Sequence, residues 1–386
     1  MTDIVIAGIG QTEVGEHWDI SLRELAYDAI KRALVDSGHL KPQALFAANM
    51  LSLNLSNQAH LGVLIADHAG LTGIEAVTVE AAGASGGAAL RQGCLAIASG
   101  LVDVALVVGV EKFTDRVGPD VEAAVSTATD SDYEAIQGLT SAAQAALIMR
   151  RYMHENNVPA DGFAGFPFTA HSNGAGNKYA MFRKAIKPEA YAKAEMISEP
   201  LNLFDAAPNA DGAAAVIMTR RELLPRDFAH PLVRIAGSGN SSDTLALHDR
   251  HDPLWFQSAQ NATERALKKA GLALEQVNFF EYHDAFSIYA ALSLEAAGFA
   301  ARGQGWKLAA DGSIALNGRI PCATLGGLKA RGFTGGATGV YQTVEATQQL
   351  RGSAGPNQLK DPKVGLIQSL GGPASTAVSH VLERMD

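Results

Sequence analysis

Short apolar runs alternate with helical periodicity along most of the chain. Runs rich in valine and isoleucine predict strands at residues 3–10, 76–83, 102–113, 231–240, 277–286 and 364–372. Apolar residues recur at helical spacing over residues 22–38, 87–100, 262–272 and 287–299, and several of these segments end at glycine, which often follows a helix. Strands that interleave with helices predict an α/β fold whose sheet is covered on both faces.

Two internal matches indicate a duplication. Residues 83–89 and 332–338 share the pattern G-x-[ST]-G-G-A-x, and residues 4–12 resemble residues 232–240. Because the matches occur in the same order and at similar offsets, we expect two similar α/β halves. In each half a glycine turn opens a buried helix, and we place the halves at residues 1–116 and 231–386.

Residues 117–230 differ in character from both halves. The segment begins acidic and polar ("PDVEAAVSTATDSDYEAIQG"), mixes aromatic, amide and basic residues in "FTAHSNGAGNKYAMFRK", and ends in the strand-like run "DGAAAVIMT". Large insertions on paired α/β domains often cover a site. We therefore predict a lid or ligand-binding loop domain at 117–230, whose last strand rejoins the first half.

Composition narrows the functional classes. The chain has 386 residues, 47% of them hydrophobic, and a formal net charge of −9. Its length suits more than one domain, and the lack of a basic excess argues against a nucleic-acid partner, although local basic patches remain open to an anionic ligand. No apolar stretch reaches roughly 18 residues, and the start lacks a basic region followed by a long apolar run, so we expect a cytoplasmic protein without a membrane span.

The turn in "VEAAGASGGAAL" (79–90) poses the main chemical question. A strand that stops at a glycine turn before a helix commonly presents a nucleophile or binds an anion, yet the tip residue here is Gly83. One interpretation is that both glycine turns serve only close packing. The other is that two helix N-termini converge on one pocket and offer N–H groups to a developing oxyanion.

Two further segments carry polar or glycine residues after strands. His283 and Asp284 end an apolar strand, which is typical of the ligand edge of an α/β sheet, although a structural histidine is also compatible. Gly371 and Gly372 form a third turn whose amides are candidates for an oxyanion hole.

The remaining reactive residues fit structural interpretations better. The run "HDRHD" (248–252) lacks further residues to complete a ligand set, so we interpret it as a solvated loop and expect no metal site. Cys94 and Cys322 do not form a C-x-x-C pair. Cys94 lies within a helical apolar pattern and is expected to be a core thiol, and a nucleophilic role for Cys322 is the minor alternative.

Six segments together resemble the thiolase superfamily, in particular its sterol-carrier-protein type and archaeal thiolases. They are "VEAAGASGGAAL", "YAMFRKAIKPEAY", "PLNLFDAAPNADGAAAV", "EYHDAF", "GGLKARGFTGGATG" and "SLGGPASTAVSHVLE". The resemblance covers nearly the whole chain and implies a five-layered αβαβα core from two related halves, with a loop domain over the pocket. It also implies a homodimer or higher oligomer and a coenzyme A thioester as substrate or ligand, with no covalently bound cofactor.

The resemblance also implies which positions carry the chemistry. In thiolases a cysteine accepts the acyl group, a histidine activates it, and the histidine of the "HDAF" motif stabilises the thioester oxygen; these positions are Gly83, Phe333 and His283 here. The family's asparagine before "GGLK" falls at about Ala323, and the second cysteine of some relatives falls at Ala285. Further candidates for oxyanion or substrate binding are Ser85, Gly335, Gly371 and Gly372.

Loss of both the thiol and its base predicts that ping-pong acyl transfer is absent or very slow. Three functions stay open: enolate stabilisation in a lyase such as a retro-aldolase of β-hydroxyacyl-CoA, a non-catalytic CoA-thioester-binding or scaffold subunit, and acyl transfer by an unrecognised nucleophile. Some relatives look like aldolases that work with a small OB-fold partner, which implies such a partner here. Those aldolases use tyrosines as acid and base, and only Tyr282 and Tyr341 lie near the motifs in sequence.

Overall fold

A computed structural model describes residues 3–385 of the chain. The main sheet has nine strands in the order β3-β2-β4-β7-β1-β8-β11-β10-β9, and a separate pair is formed by β5 and β6. In chain order, the strands are β1 (Ile4–Gln11), β2 (Ala44–Ala48), β3 (Glu75–Val79), β4 (Val104–Glu111), β5 (Met196–Ser198), β6 (Leu201–Asn202), β7 (Gly212–Arg220), β8 (Leu232–Ser242), β9 (Phe279–Glu281), β10 (Val364–Gly371) and β11 (Thr376–Met385).

The helices begin and end largely where local sequence signals allow. For example, Ser21 and Glu24 form a capping box at the first helix, and Gly271 in the left-handed conformation ends the ninth. The α-helices are α1 (Leu22–Asp36), α2 (Ser52–Leu55), α3 (Leu61–His68), α4 (Ser85–Ala98), α5 (Pro119–Ser126), α6 (Ser141–Asn156), α7 (Gly165–Gly174), α8 (Pro188–Ala192), α9 (Gln257–Ala270), α10 (Ser287–Ala296), α11 (Gly305–Ala310), α12 (Gly327–Arg331) and α13 (Thr338–Arg351).

The strand pairing confirms two related halves. In the first half, β2 pairs in parallel with β3 and β4, and β7 pairs antiparallel with β4 and β1. In the second half, β10 pairs in parallel with β9, and β11 pairs antiparallel with β10 and β8. Phe280 of β9 also forms a parallel bridge with Cys322. This bridge takes the place in the second half that the pairing of β2 with β3 takes in the first. The halves meet through the antiparallel pair Val5 and Arg234 of β1 and β8.

Helix packing gives the five layers expected from the resemblance. Helix α1 covers β1, β7 and β4 on one outside face, and α9 covers β8 and β11 on the other. Between the halves, α4 and α13 pack against each other and against strands of both halves. The buried small residues Gly86 and Gly339 permit this contact, because a Cβ at Gly86 would lie 2.8 Å from the backbone nitrogen of Gly339.

The two halves correspond in the structure at a different register from the one that the glycine-rich sequence pattern indicated. The sequence pattern paired Ser85 with Thr334, whereas the structure pairs Ser85 with Thr338, since each of these begins a central helix directly after a short 3₁₀ turn. The glycine-rich pattern was therefore aligned four residues out of register in the second half.

The segment between the halves contains α5 to α8 and the small β5–β6 pair. Strand β7, at its end, lies between β4 and β1 of the first half. The boundaries at residues 116/117 and 230/231 stay a prediction. None of the helices within residues 3–385 is long and apolar enough to cross a membrane.

Candidate functional site

Turns from both halves border one cavity of about 280 Å³. Gly83 comes from the turn between β3 and α4 of the first half, and Gly372 comes from the hairpin between β10 and β11 of the second. His283 and Phe333 line the same cavity. Residues that are distant in sequence and belong to separate halves therefore meet around one cavity.

The turn at Gly83 is fitted to a residue without a side chain. A Cβ at this position would lie 2.6 Å from the carbonyl oxygen of Leu370 and 3.0 Å from Cε1 of His283. The preceding residue, Ala82, has a left-handed φ of 49°, which is a strained conformation for alanine. A cysteine would thus require the backbone of the turn or of Leu370 to move.

Two backbone amides at the cavity are available to a ligand. Around Gly83, the Ala84 amide donates to the Ala81 carbonyl over 3.0 Å and the Ala82 amide donates to Glu80 Oε1 over 2.5 Å. In contrast, the amides of Gly83 and Gly372 have no hydrogen-bond partner within residues 3–385. Such unpaired N–H groups at a turn are suitable donors to an oxygen that gains negative charge.

His283 directs the Cε1–Nε2 edge of its imidazole toward Gly83. The side chain is 3% exposed, and Nδ1 has no partner among the described residues. Burial, together with the charge of nearby Arg331, lowers the pKa of His283 to about 3. The imidazole is therefore neutral at physiological pH, and with its proton on Nε2 it can donate one hydrogen bond into the cavity.

Buried polar contacts hold the His283 loop in place. Gln342 Nε2 donates to the carbonyl oxygens of Tyr282 over 2.8 Å and Gln368 over 3.1 Å, which ties the loop to α13 and β10. Asp284 Oδ1 accepts a 2.7 Å bond from the Leu328 amide at the start of α12. These bonds orient the histidine without using its own ring nitrogens.

Phe333 places an apolar ring opposite His283. The two rings meet edge to face at 5.8 Å between centroids, and Phe113 lies 6.2 Å from Phe333 on another side. The Phe333 amide donates to the Pro208 carbonyl over 2.8 Å, and its carbonyl accepts from Ala210 over 3.0 Å. At the position where the resemblance places an activating histidine, the side chain has no proton to exchange.

The carboxyl group of Glu111 anchors the turn that carries Phe333. Glu111 ends β4, is fully buried, and accepts bonds from the amides of Gly336 over 2.8 Å, Met50 over 2.9 Å and Leu51 over 3.1 Å. Burial raises its pKa to about 7, and these bonds oppose that rise. Gly335, with φ of 48°, must be small because a Cβ there would lie 2.5 Å from Glu111 Oε2.

Three predicted site residues lie behind the cavity wall instead of bordering the cavity. The Ser85 hydroxyl accepts from the Ala81 amide over 2.8 Å and donates to the Ala82 carbonyl over 2.6 Å, so it is used within the turn. Gly371 packs against the Ala81 carbonyl, 2.7 Å from its Cβ position, and Gly335 packs against Glu111. The contacts of these three residues stabilise the conformation of the turns.

The other candidate nucleophiles and acids are sequestered. Cys94 and Cys322 are buried, and burial raises the pKa of both thiols, that of Cys94 to about 12. The Tyr341 hydroxyl interacts with Thr12 over 3.1 Å, and Tyr282 is buried outside the cavity lining.

Several residues that line the cavity were not predicted from the sequence. Helices α5 and α6 of the inserted segment contribute Glu122, Ser141 and Gln144, and α10 contributes Tyr289. Tyr289 lies in a segment whose periodicity indicated only packing, and no local signal marks the two α6 residues. Ala285 also lines the cavity, beside His283.

A second cavity of about 990 Å³ adjoins the first. The two share the lining residues Ile197, Ala206, Ala207 and Pro208. The second cavity is lined by apolar side chains and by the cationic residues Arg183, Lys184, Lys187 and Lys329. A chain with net negative charge thus concentrates positive charge beside its candidate site.

Two of these cations have defined partners. Arg183 Nη2 pairs with Glu13 over 2.9 Å at the surface. Lys329 is buried and its Nζ donates to the Asp205 carbonyl over 2.6 Å; burial lowers the pKa of Lys329 to about 8. The ammonium groups of Lys184 and Lys187 make no ion pair with the residues that the structure describes.

Comparisons with known proteins agree over nearly the whole chain. Residues 4–222 match a family described as the thiolase N-terminal domain, and residues 239–384 match a thiolase C-terminal domain-like family. The chain is 39% identical over 386 residues to an acetyl-CoA acetyltransferase of Methanothermobacter thermautotrophicus, covering 100% of both chains.

Other relatives carry different names. The chain is 29% identical to a 17-hydroxy-3-oxo-4-pregnene-20-carboxyl-CoA lyase of Mycobacterium tuberculosis, with 90% of this chain and 92% of the relative covered. A solved structure described as an Ltp2-ChsH2(DUF35) aldolase superposes with a TM-score of 0.84 and 25% identity, covering 99% of this chain and 98% of the other.

Proposed function

Because the chain belongs to the thiolase family, we propose that its joined cavities bind a coenzyme A thioester and polarise the thioester carbonyl without transferring the acyl group to the protein. The observation that carries this proposal is that hydrogen-bond donors and the replaced catalytic side chains occur in the same cavity. The Gly83 amide and the Nε2 edge of His283 face the cavity, while glycine and Phe333 stand at the positions of the nucleophile and its base.

The larger cavity suits the coenzyme A moiety. Phosphate groups favour arginine and lysine partners, and Arg183, Lys184 and Lys187 supply them at its lining. The pantetheine arm would pass the shared wall at Ala206 to Pro208 and bring the thioester to Gly83 and His283. The smaller cavity then holds the acyl group.

The polarised carbonyl suits cleavage of a carbon–carbon bond through an enolate. In a β-hydroxyacyl thioester, breaking the Cα–Cβ bond leaves its electron pair on the thioester as an enolate, and the Cβ hydroxyl becomes a carbonyl as its proton passes to water. A proton then adds to Cα, so the reaction balances without an oxidant or reductant. Hydrogen bonds from neutral His283 and the free amides would stabilise the enolate oxygen.

The local chemistry argues against a covalent acyl intermediate. Gly83 has no nucleophile, the Ser85 hydroxyl is engaged within its turn, and both cysteine thiols are buried with raised pKa values. The archaeal relative is named as an acetyltransferase, whereas the lyase and aldolase relatives have names that fit the proposed reaction class better.

We also propose a small OB-fold partner for this chain. The description of the aldolase structure names a DUF35 component, which supports such a partner. Association of this chain with itself, as a homodimer or higher oligomer, remains a prediction.

A second candidate function is a binding subunit without turnover. It is favoured by two observations: Phe333 replaces the base, and the low pKa of His283 leaves that imidazole a very weak proton acceptor. This alternative predicts thioester binding but no product.

The deciding experiment incubates the chain with a panel of acyl-CoAs, with and without a candidate OB-fold partner, and analyses products and intact protein by mass spectrometry. We expect cleavage products that disappear in His283→Ala and persist in His154→Ala, a surface histidine on α6, with no mass added to the protein. Binding without product in every arm would select the binding subunit. A stable acyl adduct on the chain would refute both functions.

A further inference from the structure

A tyrosine in the acyl cavity has no role in the chemistry described above. Tyr289 lies near the start of α10, is 3% exposed and lines the same cavity as His283. Its ring is fixed edge to face by Phe286, at 5.1 Å between centroids, and by Phe256, at 5.6 Å. The ring is therefore held rigidly beside the cavity.

The hydroxyl of Tyr289 has no hydrogen-bond partner within residues 3–385. The charged groups that act on it are Arg250 and Glu134, and each is occupied elsewhere. Arg250 donates to Pro373, Ser375 and Thr244, which secures the hairpin that carries Gly372. Because buried polar groups are normally paired, an unpaired phenol at a cavity indicates a ligand group.

Gln144 of α6 contributes a second unpaired polar atom. Its Nε2 donates to Glu134 Oε1 over 3.1 Å, which fixes the orientation of the amide. The same carboxylate oxygen also accepts from the Leu247 amide over 2.8 Å. Gln144 is 2% exposed and lines the cavity, and its Oε1 accepts no hydrogen bond from a described residue.

We propose that Tyr289 and Gln144 form a recognition site for a hydroxyl group on the acyl chain, so that the preferred ligands are hydroxyacyl-CoA thioesters. This inference rests on the proposed function, since it assumes that the thioester lies at His283 and Gly83. A ligand hydroxyl can accept from the Tyr289 phenol and donate to Gln144 Oε1, and so it pairs both groups at once.

Other acyl groups satisfy this pair less well. An unsubstituted chain leaves both polar groups without a partner from the ligand, which weakens its binding relative to a hydroxylated chain. A carbonyl accepts from Tyr289 but cannot donate to Gln144. A carboxylate cannot donate either, and it would approach the side of the cavity that Glu134 makes negative.

The test compares 3-hydroxybutyryl-CoA with butyryl-CoA by isothermal titration calorimetry on the full chain. We expect the hydroxylated ligand to bind about tenfold more tightly, because each of its two hydrogen bonds adds a net gain of about threefold. Tyr289→Phe removes only the oxygen and leaves the Gln144 contact, so it should reduce this preference to about threefold without weakening butyryl-CoA binding. The matched control is Tyr27→Phe on the outer helix α1, which should keep the preference.

The outcomes separate this inference from the proposed function. Equal affinity of the wild type for both ligands overturns the hydroxyl site and leaves thioester binding standing. Failure to bind either ligand overturns both. If Tyr289→Phe weakens both ligands equally, the residue is structural and the inference is wrong. Gln144→Met is an independent test, because it should also lower the preference for 3-hydroxybutyryl-CoA and leave butyryl-CoA binding intact.

Discussion

A Cβ at position 83 would lie 2.6 Å from the Leu370 carbonyl oxygen, well inside van der Waals contact. The end of β10 therefore lies too close to the turn to leave room for a side chain at this position. His283 Cε1, 3.0 Å from the same Cβ position, adds to this constraint.

Gly83→Ala should lower the free energy of unfolding by about 1–3 kcal/mol, because overpacking forces the backbone to shift. The matched control is Gly15→Ala, since a Cβ there meets no atom within 4 Å. Urea denaturation of both variants measures the difference. Equal stability of the two would show that the turn has room for a side chain.

The double variant Gly83→Cys with Phe333→His restores the thiol and imidazole of the family but not the space around them. We expect no measurable thiolysis of acetoacetyl-CoA, because the new thiol is displaced from its productive geometry and catalysis is sensitive to shifts of about 1 Å. A spectrophotometric thiolysis assay tests this expectation. Recovered turnover would show that the present turn relaxes readily to the thiolase arrangement.

His283 should remain neutral throughout the range from pH 5 to pH 8. Its pKa is lowered to about 3, whereas the same histidine in the unfolded chain has a pKa of about 6.5. Between these two values only the unfolded chain binds the proton, so the free energy of unfolding falls as the pH drops below about 6.5. Histidine-selective NMR, with the resonance assigned from its absence in His283→Gln, should show no titration of this ring. A midpoint near 6.5 would mean that the imidazole is solvated.

The sequence was informative about site residues wherever a motif defined a position. Gly83, His283, Phe333 and Gly372, which were predicted as site positions, line one cavity, and their roles stay a prediction. Ser85 and Gly371 lie behind the wall because short-range bonds and backbone contacts use them, which no sequence pattern reveals. Residue identity predicts chemical capacity, whereas accessibility depends on contacts made after folding.

At the scale of elements, the turns are positioned by buried side chains from neighbouring strands. Glu111 at the end of β4 accepts bonds from the turn before α13 and from the segment after β2, so one carboxyl group joins the two halves at the site. Its contacts fix the Phe333 turn relative to the first half.

Glu111→Gln should lower the free energy of unfolding by about 2–4 kcal/mol, because the new amide NH₂ would face backbone donors and leave them unpaired. Burial raises the Glu111 pKa to about 7, so any stability from its protonated form is present at low pH and lost as the pH rises through about 7. Denaturation at several pH values measures both effects, with Glu75→Gln at the exposed edge strand as the control. If Glu111→Gln leaves the free energy of unfolding unchanged, Glu111 does not hold the two halves together at the site.

Elements were predicted well where their apolar patterns were strong. The segments that became β1, β4, β8, β10, α1, α4, α9 and α10 all carried such patterns. Strand β2 was missed because "ALFAA" is short and lacks β-branched residues, and β11 was missed because polar residues interrupt it. The strand predicted over residues 76–83 ends at Val79, since the chain then turns toward Gly83.

At the scale of the whole molecule, duplication makes the site possible. Each half brings one glycine turn to the layer of α4 and α13, and the inserted segment closes the cavity with α5 and α6. The thiolase resemblance and the five-layered fold are confirmed by the family matches and the strand pairing. The proximity of Tyr289 and Gln144 to one cavity could not be predicted, because it depends on how the insertion packs on the second half.

The most direct test of the account is a crystal structure of this chain with bound acetyl-CoA. We predict that the thioester oxygen lies within about 2.7–3.2 Å of both His283 Nε2 and the Gly83 amide nitrogen, with the phosphates near Arg183, Lys184 and Lys187. An acetyl group bonded to the protein, or a thioester bound away from His283 and Gly83, would contradict it.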